Sequence, residues 1–375
     1  MKKTVINLLI VLLTLEFIYA FFDILFRILG IGGGVHMRPD RLLGTALIPR
    51  AAYRQSSEGF SKGKINSHGL REYEYSYEKP RNTFRILIMG DSFTEALQVP
   101  LDSAFHQTLE RSLNSGNGKK NYEVVAMGMS GMGTFDELLW YRTEGRKYRP
   151  DLVICAFYLG NDFRDNSREL TRRAAASTMR PFLLENGIDT QFVASKSFRA
   201  KAALVPIMRY SRVVTYVVRS IEKIRKGSRA KSAVPEFPFD LNVFRTQYDS
   251  AWTRAVQITR RIVNAFYDEV KKDSARFIIV GIPDSYQFYR TLPNVQYSPI
   301  PNDLNFDKPD SLLENMAAAS GIRYISLSPC FQSAFKRTGL FYYGWGARAG
   351  TGHWNERGHR LAAECLEEAL KPFIP

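Results

Sequence analysis

Three apolar runs at residues 84–89, 122–127 and 151–158 each give way to a glycine-bearing turn, and two more runs follow at 276–282 and 323–327. Runs this short and continuous predict strands buried on both faces, the environment of a parallel sheet covered by helices. Helical signals lie between them. Asp102 or Ser103 is placed to cap a helix carrying Phe105, Leu109 and Leu113, Thr134 with Glu137 forms a capping box, and a helical stretch runs from about 248 to 272. Strands alternating with helices predict a doubly wound parallel α/β sheet.

With 375 residues and 45% hydrophobic composition, the chain is long enough for one to three domains around a large core. Residues 4–31 are mostly apolar and follow Lys2 and Lys3, enough to cross a bilayer, while Ile18 and Ala20 make a poor cleavage site. The expectation is an uncleaved signal anchor over 1–35. Lys2 and Lys3 on one flank nearly balance Arg38, Arg41 and Arg50 on the other, so charge alone does not orient it. Glu16, Asp23 and Arg27 share one face of that helix. Two readings follow: Asp23 and Arg27 pair at the interface while Glu16 snorkels or protonates, or the face docks another membrane protein.

Residues 36–81, punctuated by Pro, Gly and Arg, read as a linker that orders against the following domain, with a structured turn at 66–71. The domain itself spans 82–375. It is interrupted at about 166–242 by a basic insertion that includes Arg199, Lys201, Arg209, Arg212, Arg219, Lys223, Arg225, Lys226, Arg229 and Lys231. Val213, Val214, Tyr216, Val217, Val218 and Ile221 alternate with arginines there, a pattern suited to an anionic membrane, a substrate groove, or plain packing on the core. The formal charge of +15 favours anionic surroundings such as phospholipid headgroups or acidic polysaccharide, and nothing else points to nucleic acid. Cys155, Cys330 and Cys365 are too few and dispersed for a disulfide framework and read as small buried hydrophobes. No repeat, zinc-type cysteine spacing or phosphate loop is present.

In an open parallel sheet, ligands bind beyond the carboxyl ends of the strands. Gly90-Asp91-Ser92-Phe93 follows the first run, Gly128-Met129-Ser130-Gly131 the second and Gly160-Asn161-Asp162 the third, and His353-Trp354-Asn355-Glu356 opens a final helix. These segments, in this order over about 83–370, resemble the SGNH (GDSL-type) hydrolases, named for Ser, Gly, Asn and His. The resemblance implies a three-layer α/β/α, flavodoxin-like fold and a serine esterase needing no metal or organic cofactor. It makes Ser92 the nucleophile, with Ser92 N–H, Gly131 N–H and the Asn161 amide as oxyanion donors, and His353 the general base. Gly128 competes with Gly131 for the donor role. His359 and His106 read as structural, and likeness to exported enzymes turns the domain to the extracytoplasmic side.

One departure stands out. Such hydrolases usually carry an Asp two or three residues before the catalytic His, where this chain has Thr351 and Gly350. Three repairs are open: a Ser-His dyad held by a backbone carbonyl, a distant carboxylate such as Asp284, or lost catalysis. The expected function is accordingly an esterase removing acyl groups, acetyl foremost, from a cell-envelope carbohydrate or lipid. The alternatives are an O-acyltransferase using the same site and a non-catalytic polyanion-binding subunit.

Overall fold

Thr83–Gly90 (β5) is an inner strand of the sheet and is buried because it has no polar residue but Arg85 after its first position, and that arginine is matched from within. The buried guanidinium pairs with Glu123 at 2.6 Å and donates to the Tyr148 carbonyl at 2.6 Å. The computed structural model describes residues 2–116, 120–227, 238–289 and 302–375. Upstream of β5 lie helix α1 (Lys2–Leu29) and short strands β1 (Met37–Asp40), β2 (Gly44–Leu47), β3 (Ala52–Gln55) and β4 (Ser61–Lys64). Downstream come α2 (Ser92–Glu95), α3 (Phe105–Leu113), β6 (Asn121–Gly128), α4 (Thr134–Thr143), β7 (Leu152–Tyr158) and α5 (Asp162–Asp165). The insertion holds α6 (Arg168–Arg173), β8 (Phe182–Leu184), β9 (Gly187–Asp189), α7 (Lys196–Tyr210) and α8 (Arg212–Gly227). The sheet then resumes through α9 (Ser250–Lys272), β10 (Arg276–Ile282), α10 (Lys308–Ala319), β11 (Arg323–Ser326), α11 (Ser328–Thr338) and α12 (Glu356–Leu370).

The five long strands pair in parallel in the order β6-β5-β7-β10-β11. Alternate residues of each strand serve opposite faces, as the period of two demands. Leu87, Met89, Val125, Val153 and Cys155 pack with Leu138, Ile262 and Leu313 of α4, α9 and α10. Ile86, Ile88, Val124, Leu152 and Ile154 pack with Leu109, Phe331 and Leu366 of α3, α11 and α12. The fold is therefore the expected three-layer, doubly wound α/β/α sheet, with α1 projecting from it as an exposed helix. The chain runs from β5 to one side and from β7 to the other, which opens a crevice at the carboxyl ends of these neighbours.

Several local expectations change. The segment 36–81 is more than a linker: β1 pairs with β2 and β3 with β4, both antiparallel, and Leu43, Leu47, Tyr53, Ile65 and Leu70 are buried against the domain. Arg71, also buried, donates to Tyr53 at 2.9 Å and to the carbonyls of Glu95 and Val99, tying this extension to the end of α2. The turn at 66–71 forms as expected, with Asn66 Oδ1 accepting from His68 and Leu70 N–H. Neither Asp102 nor Ser103 caps α3, whose N-cap is Ala104. Helix α4 begins on Gly133, whose N–H donates to Asp136 at 2.9 Å, in place of a Thr134 and Glu137 box; Glu137 is buried with Oε2 at 3.7 Å from the Cys155 thiol.

Cys330 and Cys365 form a disulfide between α11 and α12, correcting the reading of both as unpaired hydrophobes; Cys155 is free and buried. Their 35-residue separation gave no signal because the two helices meet only in the folded layer. On α1, Asp23 and Arg27 pair at 2.7 Å, and Asp23 Oδ1 also accepts from Arg212 N–H at 2.6 Å and from Ser211 Oγ at 3.1 Å. Two of the three polar residues on the anchor's stripe are thus engaged by the chain's own insertion, and Glu16 lies on the exposed surface of α1. Arg229 and Lys231 of the insertion lie outside the described residues.

Candidate active site

Ser92 is the first residue of α2, held where β5 ends by Asp91, which caps the helix by accepting from Phe93 N–H at 2.9 Å. This strand-to-helix step puts the hydroxyl at the mouth of the crevice. Ser92 Oγ lies 2.8 Å from His353 Nε2, and His353 Nδ1 lies 2.7 Å from Glu58 Oε2. The second Glu58 oxygen accepts from the His353 backbone N–H at 2.7 Å, so the carboxylate grips both ring and backbone. That pattern selects the neutral tautomer with the proton on Nδ1, leaving Nε2 to accept from Ser92.

Glu58 is the acid that reading the sequence around His353 could not supply. It sits between β3 and β4, 295 residues before the histidine. Burial works to raise its carboxyl, but the hydrogen bonds and charge contact with His353 outweigh this and hold it below the ordinary glutamate value. Two glycines make the approach possible. A Cβ on Gly352 would meet Glu58 Oε1 at 2.0 Å, and one on Gly59 would meet the Gln98 carbonyl at 2.2 Å. Both glycines have positive φ, at 78° and 64°, so either substitution is also strained in the backbone.

The other candidates for the orienting acid are placed elsewhere. Thr351 turns its hydroxyl to the Arg348 carbonyl at 2.9 Å, and Gly350 supplies a positive-φ turn. Asp284 accepts from the Tyr158 hydroxyl at 2.5 Å and from Tyr286 N–H at 2.8 Å, and burial raises its carboxyl. It is a structural carboxylate at the end of β10. His106 is buried 2.9 Å from Glu72, and His359 is buried with Nδ1 accepting from Phe105 N–H at 3.3 Å. Burial pushes His359 far below its ordinary value, which keeps it neutral.

Around Ser92, Gly131 lies beyond β6 and Asn161 beyond β7, on the two strands that flank β5. Gly131 has φ of 83°, and nothing stands within 4 Å of where its Cβ would be. Gly128 has a packing duty instead: a Cβ there would strike Glu95 N at 2.3 Å, so the glycine lets α2 lie against β6. Ser130 N–H donates to the buried Glu95 carboxylate at 2.6 Å, which fixes the loop that presents Gly131. Asn161 precedes α5 without spending its side chain on a cap. Burial pushes Asp91, behind the serine, up to about 6.

A nucleophile, a base in hydrogen-bond reach and an acid orienting that base form the arrangement that acyl transfer requires. No family model matches this sequence, and no curated protein matches it. Among solved structures, the chain is similar to the acetyl xylan esterase AlAXEase at 11% identity, over 76% of this chain and 100% of that one, with a TM-score of 0.42. It is also similar to an acetylxylan esterase from Geobacillus stearothermophilus at 12% identity, over 77% and 94%, with a TM-score of 0.41. A lipase/acylhydrolase from Enterococcus faecalis aligns at 14% identity over 77% and 96%, with a TM-score of 0.40.

Proposed function

We propose that this chain is a membrane-anchored serine esterase that cleaves O-acyl groups, acetyl foremost, from a cell-envelope carbohydrate or lipid. The observation that carries the reading is the continuous Glu58, His353, Ser92 relay, with 2.7 and 2.8 Å between successive groups. Ser92 Oγ attacks the ester carbonyl as His353 Nε2 takes its proton, and Glu58 stabilises the resulting imidazolium. The oxyanion forms against the backbone N–H groups of Ser92 and Gly131 and the Asn161 amide. Collapse breaks the C–O bond, His353 returns the proton to the leaving alkoxide, and water repeats the sequence on the acyl-serine. A sugar hydroxyl in place of water would make the same site an O-acyltransferase. The non-catalytic binding reading rested on the absent acid, and Glu58 takes that support away.

Two further features support the location. α1 is long and apolar enough to cross a membrane, and its apolar stretch is not buried in the protein. The Cys330–Cys365 disulfide favours an oxidising compartment, which agrees with a catalytic domain on the extracytoplasmic face.

A serine-directed fluorophosphonate should label the intact protein on Ser92 and leave Ser92→Ala unlabelled; equal labelling of both would overturn the assignment. Asn161→Ala should then lower kcat on a short activated ester by about 10²- to 10³-fold with little change in KM, because the lost donor acts on charge that develops only in the transition state. A change confined to KM would make Asn161 a substrate-binding group instead.

A further inference from the structure

The basic insertion carries a second surface that the catalytic reading leaves unused. Helix α8 begins where Asp23 of α1 accepts from Arg212 and Val213 N–H at 2.6 and 3.3 Å, so the acid of one helix caps the amino end of the other. Tyr216 of α8 meets Phe26 of α1 edge to face, with ring centroids 5.3 Å apart. Arg212 donates to the Gly33 carbonyl, and Arg219 donates to those of Gly32 and Gly34 at 2.7 and 3.0 Å. Helix α8 is therefore fastened to α1 at its amino end and to the segment leaving α1 along its arginine face.

Helical geometry fixes what the opposite face does. Val217 and Ile221 lie one turn apart and roughly opposite Arg212 and Arg219, and both are exposed, at 48% and 45%. Residues 3–22 of α1, at 1.5 Å each, span about the 30 Å thickness of a bilayer's hydrocarbon. Asp23 then falls at the hydrocarbon boundary, and α8 starts at that depth. The emerging segment at Gly32 to Gly34 crosses the arginine face, so Val217 and Ile221 turn back toward the side from which α1 rises. Neighbouring Ile207 and Tyr210 of α7 are exposed as well, at 53% and 74%, and Lys201 and Arg209 of the same helix are exposed too.

We infer that α8, with the carboxyl end of α7, lies in the headgroup layer of the membrane that holds α1, burying Val217 and Ile221 at the acyl boundary while Arg209 at the end of α7 meets anionic lipid. Apolar area and electrostatic attraction act together in such interfacial helices. The inference rests on α1 crossing the bilayer and is independent of the chemistry at Ser92. Its effect is to fix the pose of the domain: a single crossing helix alone would let it swivel, and a second contact at a set angle holds the crevice in one orientation to the membrane.

The test uses the full-length protein with a nitroxide on Val217→Cys, Ile221→Cys or, on the polar side, Lys223→Cys, in phosphatidylcholine nanodiscs with and without phosphatidylglycerol. Carbonate resistance reports insertion of α1, and an unchanged circular dichroism spectrum reports folding. In phosphatidylglycerol discs, spin labels at 217 and 221 should collide less with a water-soluble nickel chelate and more with oxygen than the 223 label, which stays aqueous. Labels at 217 and 221 that remain aqueous in an inserted, folded protein would overturn the proposal and leave the anchor reading standing. Labels shielded from both the chelate and oxygen would overturn it in favour of a protein contact. A chain that fails carbonate resistance would overturn the anchor and this proposal together.

Discussion

Glu58→Gln should lower kcat on an activated ester by about 10⁴-fold while leaving KM within a few-fold of its starting value. The amide keeps the size of the side chain but presents an N–H where His353 Nδ1 needs an acceptor, which favours the tautomer that cannot receive the Ser92 proton. A KM held near its starting value distinguishes this from a merely structural loss. In the unaltered protein the hydrogen bonds and charge contact with His353 hold Glu58 below the ordinary glutamate range, so it stays ionised through mildly acidic pH. Removing the carboxylate withdraws its stabilisation of the imidazolium formed in the transition state, so the loss falls on kcat. The same lowered value means that Glu58 contributes stability present above the unfolded-state value and lost as pH falls through the folded one. Asp284→Asn, acting on a carboxylate committed to Tyr158, should cost far less. Thr351→Asp should be neutral or harmful, since it adds a like charge beside a place already filled. A Glu58→Gln protein with unchanged kcat would leave His353 oriented by something else.

Ser92→Ala should reduce kcat by about 10⁶-fold, the scale seen when the nucleophile of a hydrolytic relay is removed, with the residue of rate coming from the oxyanion donors and binding. Ser92 is the first residue of α2 and is not its cap, so the deletion should leave the helix and the fold in place. The combined Ser92→Ala and Glu58→Gln protein should be no slower than Ser92→Ala alone, because Glu58 acts only through His353 and the serine. Additive losses would mean that Glu58 has a duty outside the relay.

The sheet was legible in the sequence because its strands are buried on both faces, and continuous apolar runs such as 84–89 and 151–158 have few other uses. Ser92, Gly131, Asn161 and His353 could be singled out because the segments that hold them resemble those of the SGNH hydrolases, three of the four at strand ends of the parallel sheet. Glu58 could not. It belongs to a four-residue hairpin pair in a Gly- and Arg-rich segment with no periodic pattern, and its strands exist because Tyr53, Ile65 and Leu70 find places on a core built from later residues. The local gap at Thr351 and Gly350 announced that an acid was needed without saying where it came from. Glycines 59 and 352 enclose Glu58, yet a single sequence does not distinguish them from ordinary turn glycines. The α3 and α4 starts differ from the polar caps expected because neither N-cap carries a side-chain hydrogen bond: α3 begins after Ala104 and α4 after Gly133.

The bond joining α11 to α12 gives the site a redox dependence that the chemistry of esters would not suggest. Everything between those helices, including the turn that delivers His353, is a loop pinned at both ends by one covalent link. In the chain-entropy account a loop of this length is worth between about 3 and 5 kcal/mol to the folded state, a large share of the stability of an ordinary domain. Reduction would therefore be felt first as slackness in the histidine's position, before the sheet itself gave way. A chain kept reduced would hold its fold with the site mistuned, and oxidation would complete it.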